Sequence, residues 1–125
     1  MKVLVVDDED EFRPILAEHL QTHGITTLEA RNGLEYLLHV KHEDPDVIVL
    51  DLTMPRLGGI EALKRIHKFD PRIQVIVLTA SANPADHDAA RAAGAHRVYT
   101  KPYDFEQLAR VIADGSALTT PAGTA

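Results

Sequence analysis

Hydrophobic residues along this chain alternate between two spacings. Val3 to Val6, Val47 to Leu50 and Ile73 to Leu78 are short, nearly unbroken apolar runs rich in β-branched residues, as strands covered on both faces require. Two weaker runs, Ile25 to Ala30 and Val98 to Thr100, read as further short strands. Between the runs, apolar positions recur three and four residues apart, which marks one face of a helix. Phe12, Ile15, Leu16 and Leu20 predict a helix that ends at Gly24, with Pro14 confined to its first turn. After an Asn32-Gly33 turn, Leu34, Leu37, Leu38 and Lys41 carry a second helix as far as Asp44-Pro45. Ile60, Leu63 and Ile66 give the inner face of a third, opened by Gly58-Gly59 and followed by Asp70-Pro71. Asn83 as N-cap, with Pro84 at the first helical position, starts an alanine-rich fourth that closes at Gly94. Phe105, Leu108, Ala109 and Ile112 form the last.

The order is strand then helix, five times over, with short connections. That alternation prescribes a parallel sheet with helices on both faces and right-handed crossovers. The fold class is α/β: a flavodoxin-like, doubly wound sheet of five parallel strands in the order 2-1-3-4-5, with five helices. At 125 residues there is room for one domain and not for two. Residues 1–114 are expected to form it. Residues 115–125 carry no charge and little bulk, which suits a disordered tail or the start of a linker.

Composition narrows the function classes. The chain has no cysteine, so disulfide and thiolate chemistry are excluded. With 13 basic against 19 acidic residues and a net charge of −6, it lacks the basic cluster that direct nucleic-acid binding needs. The first apolar run is cut off at Asp7-Asp8, too early for a signal peptide or a membrane span. A soluble, cytoplasmic protein with no membrane partner is expected.

In an open parallel α/β sheet, ligands bind at the carboxyl ends of the strands. The residues that end the apolar runs therefore hold the candidate chemistry. Asp51 ends the central run and, taken alone, reads equally well as a cap for the next helix. Asp7 and Asp8 head five successive acids, Asp7 to Glu11. Asp10 and Glu11 suit a helix's first turn, where the macrodipole favours acids; Asp7 and Asp8 share the structural address of Asp51. Thr79 follows the fourth apolar run and Lys101 the fifth. In the expected strand order all five converge on one crevice. Strands lie about 4.8 Å apart, so Asp8 and Asp51 would be like charges too close to remain ionised without a cation. Lys101 and a metal are the candidate counter-charges. An all-oxygen site with open positions suits Mg²⁺, which keeps several waters and binds a few carboxylates plus a phosphate. A carboxylate facing Mg²⁺, an ammonium and a hydroxyl is equipped to attack phosphorus and hold the oxygens of the transferred group.

These residues resemble the receiver domain of two-component response regulators. The resemblance rests on Val-Val-Asp-Asp at 5–8, Asp-Leu-Thr-Met-Pro at 51–55 with Gly58-Gly59 beyond, Leu-Thr-Ala at 78–80 and Thr-Lys-Pro at 100–102. It covers Lys2 to about Asp114. It implies that Asp51 is the phosphoacceptor, that Asp8 and Asp51 ligate Mg²⁺ with the backbone carbonyl of Thr53, and that Asp7 helps through water. It implies further that Thr79 and Lys101 hold the phosphoryl oxygens, and that the Lys101-Pro102 bond is cis. A histidine kinase or histidine phosphotransfer protein would be the donor. The surface of the fourth helix, last strand and last helix would control a target protein or output domain. Such a domain assists only its own phosphorylation and dephosphorylation and is not otherwise an enzyme.

Other readings compete on particular residues. A phosphatase of the haloacid-dehalogenase type needs a second acid two positions after its nucleophile, and here that position is Thr53. A degenerate receiver acting only as a binding module would lack some of the five site residues, all of which are present. His19 and His23, four apart, read as a solvent-facing helix surface rather than a metal pair. Ser81 lacks the Gly-x-Ser-x-Gly elbow of a hydrolase. Two departures from the family pattern also stand out. Gly94-Ala95-His96-Arg97 replaces the Gly-Ala-Asp-Asp of winged-helix regulators, so their salt-bridged dimer is not expected. The usual aromatic three positions before the site lysine is Val98, and Tyr99 stands one position later, on the opposite strand face.

Overall fold

The three strongest apolar runs become the three inner strands of a five-stranded parallel sheet. The structure, a computed structural model, describes residues 1–7, 11–31, 42–51, 59–80, 82–100 and 104–113, the side chains of 59, 60 and 62 excepted. Its elements are β1 (Lys2–Val6), α1 (Phe12–Thr22), β2 (Thr26–Ala30), β3 (Val47–Asp51), α2 (Gly59–Phe69), β4 (Gln74–Thr79), α3 (Pro84–Ala92), β5 (Arg97–Thr100) and α4 (Phe105–Ala113). The sheet order is β2-β1-β3-β4-β5, the doubly wound order expected from the sequence. The helix expected over Leu34 to Lys41, the Asn32-Gly33 turn and residues 115–125 lie outside the described residues. The other four expected helices are all present.

Side chains of the inner strands alternate between two cores. Leu4, Val6, Ile48 and Leu50 turn to the face covered by Leu63 and Ile66 of α2 and Ala90 of α3. Val3, Val5, Val47 and Val49 turn to the other, against Leu16 and Leu20 of α1 and Leu108 and Ile112 of α4. Each large side chain wholly removed from water contributes about 1.5–3 kcal/mol, so the inner strands are anchored from both sides. Their carboxyl ends are thereby held level, with Val6 opposite Leu50, Asp51 opposite Leu78 and Thr79 opposite Thr100. At the start of α3, Asn83 accepts the Ala85 N–H at 2.9 Å and Pro84 follows it, as expected. Among the described residues no helix is long and apolar enough to cross a membrane.

Helix α1 departs from its expected face. Arg13, Leu16, Ala17 and Leu20 are buried, whereas Phe12 and Ile15, expected inside, are 42% and 41% exposed. Period and length agree with the sequence, and the phase is shifted because the polar Arg13 finds acceptors in the interior. Phe12 instead meets Phe105 of α4, with ring centroids 6.3 Å apart. His19 and His23 do not simply face solvent either. His19 Nδ1 and His23 Nε2 lie 3.1 and 3.0 Å from the two carboxyl oxygens of Glu106 on α4. Hydrogen bonds from His23 and then His19 hold that carboxyl below the usual range.

Candidate functional site

The site follows from where the inner strands stop. Asp7 is the first residue beyond β1, and its N–H donates to Ala30 O at 3.1 Å, continuing the ladder to β2 by one bond. Asp51 is the last residue of β3 and is paired with Leu78 of β4. Because Val6 is level with Leu50, Asp7 and Asp51 are the next residues along two neighbouring strands. Thr79 ends β4 on the other side of Asp51. Three of the expected site residues thus line one sheet edge in the order Asp7, Asp51, Thr79. Asp8, Thr53 and Lys101 lie outside the described residues.

Burial gives this edge its chemical character. Asp7 is 4%, Asp51 1% and Thr79 5% exposed. An ionised carboxylate withdrawn from water is costly unless charge or hydrogen bonds compensate it. Two of them on adjacent strands raise that cost and make a small divalent cation a favourable addition. The donor set is oxygen only, as Mg²⁺ prefers, so the residues present fit that ion. Among the described residues no group of three or more histidine or acidic side chains could hold a metal; Asp8 and Thr53, two of the four expected ligands, are not among them.

Other contacts attach the edge to its surroundings. Thr100, at the end of β5, brings its hydroxyl to 3.4 Å from His87 Nε2 on α3. Val98 packs into the core under α2 and α3, and Tyr99 into the core under α1 and α4, so the two face opposite ways as strand alternation requires. Arg97 is only 8% exposed.

Sequence reasoning passed over Arg13. It is a buried arginine in the first turn of α1, and its Nη1 donates to the backbone carbonyl of Asp7 at 2.8 Å. Its Nε lies 3.1 Å from Glu29 Oε1 on β2. The available signal was a cation in a helix's first turn, where the macrodipole opposes it.

Comparison with known proteins agrees with this geometry. The profile of the response regulator receiver domain matches residues 3–113. Sporulation initiation phosphotransferase F of Bacillus subtilis is 36% identical over 107 residues, which are 86% of each chain. Response regulator MprA of Mycobacterium ulcerans is 34% identical over 108 residues, 86% of this chain and 47% of that protein, so the chain spans about half of that relative. Among solved structures, Vibrio cholerae chemotaxis protein CheY4 superposes with a TM-score of 0.84 at 29% identity, covering 90% of this chain and 96% of that one. Topology, the acidic strand ends and the family match agree, and the chain belongs to the receiver domains of two-component response regulators.

Proposed function

We propose that this receiver accepts a phosphoryl group on Asp51 in an Mg²⁺-dependent reaction. The observation that carries this reading is the burial of Asp51, 1% exposed, between Asp7 on one neighbouring strand and Thr79 on the other. Asp8 and Asp51, the Thr53 carbonyl and, through water, Asp7 would hold Mg²⁺. When bound, the ion neutralises the carboxylates and the charge on the phosphoryl oxygens. Asp51 supplies the nucleophilic oxygen, and its place at the end of a buried strand fixes the line of attack; as its O–P bond forms, the N–P bond of the donor's phosphohistidine breaks and the imidazole leaves. The Thr79 hydroxyl and Lys101 ammonium then hold the transferred oxygens.

The donor is a histidine kinase or a histidine phosphotransfer protein. Phe12 and Ile15, exposed on α1, give such a partner an apolar patch on the helix that follows the acidic β1 end. The surface formed by α3, β5 and α4 passes the phosphorylated state to a target protein or output domain in the cytoplasm. The domain turns over no other substrate, since the position two after Asp51 is Thr53 and offers no general acid or base.

Intact-mass measurement with acetyl phosphate tests the reading. One phosphoryl adduct is expected with Mg²⁺, none with EDTA, and none in Asp51→Asn. A full adduct on Asp51→Asn would overturn it.

A further inference from the structure

Arg13 breaks two local rules at once. It puts a positive charge in the first turn of a helix, against the macrodipole, and it buries that charge to 9% exposure. The N-cap, Glu11, makes no side-chain capping bond and the first turn of α1 contains no acid. Such local conflicts gather where a structure serves a function. Among the described residues, a fork of two contacts holds Arg13. Nη1 reaches the Asp7 carbonyl and Nε reaches Glu29, on two elements that precede and follow the helix carrying the arginine.

Together with the β1–β2 ladder, the fork holds Asp7 at both of its peptide groups. Its N–H is bound to Ala30 of β2, and its carbonyl to Arg13 of α1. With both peptide planes held, the Cα–Cβ bond between them has one direction. Glu29 sits opposite Val5 in the β1–β2 register and keeps the guanidinium from swinging away.

We propose that Arg13 is a positioning residue for the Mg²⁺ site: held by Glu29, it fixes the Asp7 carbonyl and thereby the direction of the Asp7 carboxylate at the β1 end. The fork geometry is specific to arginine, because a lysine ammonium has no planar pair of donors to serve both acceptors. Groups that orient metal ligands without touching the ion commonly affect affinity about 10–100-fold.

Because this role presupposes the Mg²⁺ site proposed above, the experiment separates the two. Mg²⁺ affinity is measured by calorimetric titration for the wild type, Asp51→Asn, Arg13→Met, Arg13→Lys and Glu29→Gln, with a thermal melt of each in EDTA. Acetyl phosphate labelling at saturating Mg²⁺ completes the set. Arg13→Met is expected to weaken Mg²⁺ binding about ten-fold or more, with most of the labelling rate restored at saturating Mg²⁺ because Asp51 is intact. Glu29→Gln and Arg13→Lys should give smaller losses in the same direction. If the wild type binds Mg²⁺ no better than Asp51→Asn, the site itself is refuted. If the wild type binds more tightly than Asp51→Asn but the Arg13 and Glu29 variants match the wild type, whatever their melting temperatures, Arg13 is merely structural and this inference fails. Should Arg13→Met not fold, Arg13→Lys and Glu29→Gln decide in the same way.

Discussion

Removing the charge of Asp51, the proposed phosphoacceptor, should make the metal-free protein more stable. Asp7 and Asp51 are both buried at the ends of neighbouring strands. Two unit charges roughly 5 Å apart, the spacing of paired strands, repel by about 3 kcal/mol at an effective dielectric near 20. Both side chains also interact with further groups, and Asp51→Asn gives up part of that compensation. The net gain expected for Asp51→Asn in EDTA is about 1–2 kcal/mol, or roughly 3–10 °C in Tm for a domain of this size. Mg²⁺ should reverse the order. At a hundred times its Kd the ion adds about 2.7 kcal/mol to a protein that binds it only when folded, and the variant lacks one of the proposed ligands. Scanning calorimetry of both proteins, each with EDTA and with Mg²⁺, reads all four states. Asp51→Asn melting below the wild type in EDTA, or an equal Mg²⁺ shift in the two proteins, would refute the electrostatic reasoning.

Three further outcomes are expected. His96 accepts the Val75 N–H on Nδ1 at 3.3 Å, and burial, then the nearby His67, lowers its pKa from the ordinary 6.5; the unfolded chain therefore takes up this proton first, and stability should be complete above about pH 6.5 and decline as pH falls through 6.5 towards the lower folded value. Urea midpoints between pH 7.5 and 5.5 should fall less steeply for His96→Gln, and identical slopes would remove His96 as the cause. Gly94 has φ +123 and a Cβ there would lie 2.8 Å from His67 Cβ, so Gly94→Ala should cost about 2–3 kcal/mol in denaturant unfolding; a loss below 0.5 kcal/mol would show that the turn adjusts freely. Ile15→Ala should change stability by less than about 1 kcal/mol, since the side chain is well exposed, yet slow phosphotransfer from a histidine donor about ten-fold while leaving acetyl phosphate labelling intact. Equal slowing with both donors would place Ile15 in the chemistry rather than on a docking surface.

The strand-helix alternation, and with it the parallel sheet, was legible in the sequence, because unbroken apolar runs and three-to-four-residue spacings are local properties of the chain. The sequence also marked Asp7, Asp51 and Thr79, since each stands where an apolar run stops and strand ends lie at the ligand edge of such a sheet. The phase of α1, by contrast, was set by long-range packing. Spacing alone puts Phe12 and Ile15 inside, but the helix turns Arg13 inward because Asp7 O and Glu29, on separate strands, supply acceptors that no local pattern announces. The same holds for His19 and His23, whose common partner Glu106 is more than eighty residues away in the chain. Apolar periodicity records which face a segment would bury if it stood alone; where a polar side chain is buried depends on which distant groups the fold brings within hydrogen-bonding distance.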